Sequence, residues 1–259
     1  MPIAFSTLGL PGLPLTEVLR LAADHGWHGL ELRCTPGEPI HPAMDAAERR
    51  AAARAISTAG IVPLALAGYA GVAAPGDDRP ILADLRDQLR LAADLGAAYL
   101  RVFARGGDGP TAEADARAVR RLAAVADTAH SLGVRALLET HDSHRGGSDV
   151  ARVLDVVDHP SVGALWDVMH TDLAGESPRE SFTALGPRLG YVQVKDIASP
   201  DDLTPLPLGA GVLQLDACLR LLPPGCWVSW EYEAAWFPSA APLPGLLAAG
   251  RRFLVPLCG

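Results

Sequence analysis

Residues 19–33 read LRLAADHGWHGLELR, and residues 89–103 read LRLAADLGAAYLRVF. The six residues LRLAAD are identical, and Gly26 matches Gly96. Each copy is the end of an amphipathic helix, a glycine stop and then a strand. The residue after a helix often takes a left-handed conformation, which glycine adopts without steric cost. Two weaker copies follow the same plan: residues 52–59 stop at Gly60 before the apolar run 61–66, and residues 119–132 stop at Gly133 before 134–139. A helix–glycine–strand unit repeated along a chain means parallel strands joined by helical crossovers.

Strands are expected near 3–8, 29–33, 61–67, 99–103, 135–140, 162–167, 190–195 and 226–231, with helices near 14–25, 45–59, 79–95, 111–132, 148–157, 178–186, 213–222 and 243–255. Eight of each predicts an α/β fold, a single (β/α)8 TIM barrel spanning residues 1–259 as one domain. A doubly wound sheet is the second choice, but no G-x-G-x-x-G follows the first strand. The 49% hydrophobic content suits buried strands and argues against disorder. The Gly/Pro-rich stretches 34–42 and 199–211 read as loops over the C-terminal face, and 238–244 turns the chain into the last helix.

Charge and cysteine usage narrow the function. The net charge is -8, with 30 acidic against 22 basic residues and no basic cluster, a poor match to nucleic acid. The four cysteines, Cys34, Cys218, Cys226 and Cys258, form no C-x-x-C pair and read as free thiols in a reducing cytoplasm. Cys34 is expected as a small buried residue beside a strand tip. The N-terminus lacks the pattern of a signal peptide, and no apolar run is long enough to span a bilayer. The expectation is a cytoplasmic protein with neither membrane nor nucleic acid as partner.

In a barrel the C-terminal strand tips converge on one mouth, where active sites are built. Strand two ends in Glu31 and Arg33, strand four in Arg101 and Phe103, strand five in Glu139 and His141. Strand six supplies Asp167, with His170 one turn on; strand seven supplies Gln193 and Lys195; strand eight supplies Glu231 and Glu233. Glu139, Asp167, Gln193 and Glu231 each close an apolar run. Three carboxylates gathered there would repel one another, and a divalent cation resolves the conflict. Oxygen ligands favour magnesium or manganese, and one imidazole would admit cobalt or zinc.

Structural roles compete for several of these residues. Asp167 could cap a following helix, and Gln193 could be a ligand or only a hydrogen-bonding neighbour. His141 could serve structure or function. Arg101 is expected to form a buried ion pair with Glu31 rather than to meet an anion. Glu31 and Arg33 are read as alternating, with one of them facing inward. Trp166 and Trp230 are placed outward against helices, Trp27 and Trp227 in the core, and Trp236 where it could cover a sugar face. Glu233 and Asp196 are read as solvated or supporting groups.

These motifs resemble the xylose isomerase-like superfamily, in particular its sugar phosphate isomerase/epimerase members, over essentially the whole chain. The resemblance lies in AFSTLG (4–9), GLELR (29–33), LRVF (100–103), LETHD (138–142), LWDVMH (165–170) with AGESP (174–178), YVQVKD (191–196) and Trp230-Glu231. It implies one divalent metal ion (Mn, Mg, Co or Zn) held by Glu139, Asp167, the residue at 193 and Glu231. Gln193 stands where the family usually has His; its amide oxygen can still ligate and would favour harder cations. Gln at this position is also similar to hydroxypyruvate isomerases and some dehydroshikimate dehydratases. The implied chemistry is proton transfer beside a carbonyl, with Glu139 and Glu231 as the catalytic acid and base and His170, His141, Lys195 and Arg101 on the substrate. The expected partner is a small sugar or hydroxy-ketone, and a homo-oligomer is in keeping with the superfamily. The rivals are a dehydratase, in which the same enolate expels a β-hydroxyl, and a non-catalytic barrel with a degenerate metal site. The DNA-repair branch needs a His-rich zinc cluster and a basic face, against this acidic balance.

Overall fold

The computed structural model describes residues 1–257. Eight parallel strands close into a barrel: β1 (Ile3–Ser6), β2 (Gly29–Arg33), β3 (Val62–Gly71), β4 (Tyr99–Phe103), β5 (Arg135–Glu139), β6 (Val162–Asp167), β7 (Leu189–Val194) and β10 (Trp227–Trp230). Around the ring the order is β1-β10-β7-β6-β5-β4-β3-β2, so the last barrel strand closes against the first through Ile3 opposite Val228 and Phe5 opposite Trp230. The helices α1 (Leu15–Asp24), α2 (Ala46–Thr58), α3 (Asp78–Leu95), α4 (Thr111–Ser131) and α5 (Gly147–Val157) fill the crossovers that the repeat predicts. All four predicted glycine stops take positive φ: 67° at Gly26, 68° at Gly60, 77° at Gly96 and 68° at Gly133. At those angles a side chain would be strained, which is why the repeat keeps glycine there.

The second half departs from the expected spacing. A short helix, α6 (Val168–Leu173), follows β6 directly, before α7 (Pro178–Leu185). Asp167 starts it, its Oδ1 accepting from the backbone N–H of Met169 at 2.9 Å and of His170 at 3.3 Å. The stretch after β7 holds an antiparallel hairpin, β8 (Ile197–Ser199) with β9 (Asp202–Pro205), rather than a plain loop. Asp196 is buried, not solvated, and accepts backbone N–H bonds from Ile197, Gly209, Gly211 and Leu213 at 2.9–3.3 Å. One carboxylate thus replaces a set of backbone partners across the loop. The closing helices are α8 (Leu215–Leu219) and α9 (Leu247–Leu257).

Two apolar layers build the core. The larger lies between strands and helices; Trp166 packs toward Phe182 of α7 with centroids 6.4 Å apart, and Trp230 stacks on Trp27 at 6.1 Å, both outside the barrel as expected. Inside the barrel, Ala4, Leu64, Ala65, Leu137, Leu165 and Tyr191 form a small plug. Strand residues two apart share a face, so the next inward layer above Leu137, Leu165 and Tyr191 is Glu139, Asp167 and Gln193. Cys34 and Cys218 are buried thiols, and burial pushes each up to about 12. Cys258 lies outside the described residues. No helix among the described residues is long and apolar enough to cross a membrane.

Candidate functional site

Above the apolar plug the barrel interior turns from hydrocarbon to charge within one side-chain layer. Glu139 of β5, Asp167 of β6, Gln193 of β7 and Glu231 just after β10 are all essentially excluded from solvent. One oxygen each of Glu139, Asp167 and Glu231 lies within 4.8 Å of the others. Gln193 Nε2 donates to Glu31 Oε1 at 2.8 Å, to Glu31 Oε2 at 2.9 Å and to Glu231 Oε1 at 3.2 Å. With the nitrogen so engaged, the amide oxygen is buried with no hydrogen-bond partner.

Two cations balance this floor. Lys195 Nζ lies 2.7 Å from Asp167 Oδ2, 2.5 Å from Glu231 Oε2 and 2.6 Å from Glu233 Oε1. Arg101 Nη1 lies 3.3 Å from Glu139 Oε2 and 3.4 Å from Glu231 Oε1. The expected pair between Arg101 and Glu31 does not form. Arg101 Nε and Nη2 donate to the Gly68 carbonyl at 3.2 and 3.1 Å, which turns the fork toward β5 and β10. Glu31 instead takes the Tyr191 hydroxyl at 2.7 Å besides Gln193. Nor do Glu31 and Arg33 alternate: two residues apart on β2, they share the inward face, with Glu31 in the floor and Arg33 lining the cleft above it.

Burial and neighbouring charge pull the two central glutamates apart. Burial pushes Glu139 well above the ordinary carboxylate value, aided by Glu231 and Asp167 and opposed by Arg101. Burial acts on Glu231 in the same direction but loses to Lys195 and Arg101, which hold it down at about 2. Burial and neighbouring Glu231 also raise Asp167, against Lys195. One glutamate is therefore biased toward holding a proton and the other toward ionisation.

The histidines stand at the rim. His141 is part-exposed, with Nδ1 3.3 Å from Asp142 Oδ2, and its ring meets those of Phe103 at 4.4 Å and His170 at 4.2 Å. His170 Nε2 is buried without a partner, and burial together with Lys195 holds this imidazole well below its ordinary value, hence neutral. Glu139, His141 and His170 form a second set of ligand atoms within 4.8 Å.

A cleft of about 530 Å³ opens above the floor. Its lining brings in Tyr69, Arg105 and Trp236 beside Glu139, His141 and Glu231. Tyr69 was missed by the sequence because β3 continues to Gly71 instead of ending at 67. Arg105 had a signal in its parity with Arg101 and Phe103, although it lies beyond the end of β4.

The sequence model of the xylose isomerase-like TIM barrel matches residues 19–257. This chain belongs to that family. Solved structures of similar shape include the D-psicose 3-epimerase of Clostridium cellulolyticum H10, seen with D-tagatose (15% identity, TM-score 0.85, covering 100% of this chain and 99% of the other). The IOLI protein with a bound zinc atom is 20% identical, with a TM-score of 0.81 and coverage of 100% and 98%. The probable 3-DHS dehydratase AsbF of Bacillus anthracis is 17% identical, with a TM-score of 0.80 and coverage of 98% of both chains. No curated protein sequence matches the chain. For this member of the xylose isomerase-like family, the floor fits a divalent cation: three carboxylate oxygens converge beside an unpartnered amide oxygen. Lys195 supplies positive charge to the same carboxylates, so it would have to withdraw from at least one of them when a cation binds.

Proposed function

We propose that this protein is a divalent-metal-dependent isomerase or epimerase of a small sugar or hydroxy-ketone. The observation that carries the reading is the convergence of Glu139, Asp167 and Glu231 within 4.8 Å, with the Gln193 amide oxygen buried and unpartnered beside them. These four residues would hold the ion. A divalent cation held there would supply Lewis-acid polarisation of a substrate carbonyl and offset the charge that develops when the adjacent carbon loses its proton. One of Glu139 and Glu231 takes the proton from carbon, and the other returns one, on the opposite face for epimerisation. His170, neutral and with Nε2 free, accepts a substrate hydroxyl proton or donates to a substrate oxygen, according to its tautomer. His141 bounds the same rim, while Lys195 and Arg101 hold the glutamates and meet the substrate's oxygens.

Proton transfer leaves a direct record in deuterium oxide. With manganese, magnesium, cobalt or zinc supplied, a ketose panel should show wash-in of deuterium at the carbon beside the carbonyl by NMR, together with a new isomer. Chelation should abolish both, and metal should restore them. Glu139→Gln and Glu231→Gln should each lower kcat by roughly 10²–10⁴-fold. Absence of bound metal by elemental analysis after soaking, or of exchange with every metal, would overturn the reading. Gln193 favours one alternative: an enolate formed on this floor and losing a β-hydroxyl would make the protein a dehydratase, and product analysis with dehydroshikimate distinguishes the two.

A further inference from the structure

The cleft is bipolar. Its floor carries the carboxylates, and the wall facing the solvent-exposed Trp236 carries three guanidinium groups gathered round one ring. The Cζ atoms of Arg101, Arg33 and Arg105 lie 5.0, 5.8 and 5.9 Å from the Tyr69 centroid. Their charges are not equally spent. Arg101 is committed to Glu139 and Glu231 in the floor. Arg33 is half committed: Nη1 reaches Glu38 at 2.6 Å and Nε donates to the Tyr69 hydroxyl at 2.9 Å, while its fork lies over Trp236 at 5.0 Å. The guanidinium of Arg105 meets no carboxylate among the described residues, and packs against Phe103 at 5.4 Å.

The backbone is built to present that side chain. Arg105 has a φ of 54°, a left-handed conformation that costs energy in a residue with a Cβ. Asp142 Oδ1 holds it there, accepting the Arg105 N–H at 2.8 Å. Gly71 makes the room: a Cβ at that position would sit 2.9 Å from the Cβ of Arg105.

We propose that the Arg105–Tyr69–Arg33 wall binds a terminal anionic group of the substrate, a carboxylate or a phosphate, while the hydroxy-carbonyl end lies on the carboxylate floor. The proposal rests on the reading of this cleft as the substrate site and names the class of substrate it takes. A planar fork with unspent N–H groups beside aromatic faces suits such oxyanions, and would discriminate against a neutral end of the same length.

Three ketoses that share a six-carbon skeleton and differ at C6 test it: D-fructose, D-fructuronate and D-fructose 6-phosphate, titrated calorimetrically into wild type and Arg105→Gln. Arg105 is exposed, so the variant should fold. Wild type should bind at least one anion about tenfold or more tighter than fructose, and the variant should lose most of that preference, its anion affinity falling by far more than its fructose affinity. Which anion gains decides between carboxylate and phosphate. Fructose binding as tightly as both anions, neither anion binding at millimolar concentration, or a preference that survives Arg105→Gln would each overturn the proposal. Deuterium wash-in with neutral ketoses reports on the proton-transfer reading by itself, so failure of one does not imply failure of the other.

Discussion

Glu139 shows what a floor of buried carboxylates costs a fold. Ionised, it is a buried charge whose partner Arg101 is shared with Glu231. Glu139→Gln keeps the shape and removes the charge, and in the metal-free protein it should raise stability by about 1 kcal/mol or more, some 2–4 °C in Tm. The pH dependence follows from the sign of the shift. The folded-state value lies above the ordinary 4.5, so the wild type loses stability as pH rises from there through the folded-state value. The gain from Glu139→Gln should therefore be largest at alkaline pH and shrink toward pH 4, as calorimetry in chelator would show; a gain that grows on acidification would refute the assignment. Residue identity at the strand tips was legible because charge after an apolar run is unusual. Partner choice was not, since the turn of Arg101 away from Glu31 depends on the Gly68 carbonyl, which no side chain in the sequence announces.

At the scale of elements, the repeat told most of the truth about where helices end and strands begin, because the glycine stops are local chemistry. It said less about β3, whose extension to Gly71 carries Tyr69 into the cleft, or about α6, a single short helix that Asp167 both starts and overlooks. Asp167 caps that helix with one oxygen and turns the other toward the floor, so the cap leaves that second oxygen available to the floor. Close packing between elements gives a sharper test. A Cβ at Gly250 of α9 would lie 2.3 Å from the Trp230 ring, whereas one at Gly186 would come no nearer than 3.7 Å to Phe182. Gly250→Ala should cost about 1–3 kcal/mol by chemical denaturation, while Gly186→Ala should be near neutral. Equal effects would mean that α9 does not dock as described.

For the whole molecule, ligand linkage is the most accessible measurement. A cation that binds the native floor and not the unfolded chain should stabilise the protein by about 2.7 kcal/mol at a hundredfold excess over its Kd. For a chain of this size that is roughly 5–10 °C in Tm, and Asp167→Asn should remove most of it. A dose-independent Tm would count against the metal site. Closure of the barrel could be read from the four repeat copies and the eight strands expected along the chain, since parallel strands buried on both faces leave few other solutions. The arginine wall could not, because its three members come from positions 33, 101 and 105 and meet only when β2, β3 and β4 lie side by side.

The division of the cleft between two sets of strands has an evolutionary consequence. The three carboxylates that converge as candidate metal ligands come from β5, β6 and the end of β10, whereas the arginine wall comes from β2 through the end of β4. On the proposed reading, the groups that would transfer protons and those that would recognise the far end of the substrate are thus encoded largely in different stretches of the gene. On that reading, change at positions 33 and 105 of the first half would retune which molecule enters while Glu31 and Arg101 go on supporting the floor, and a lineage could change its diet without relearning its chemistry.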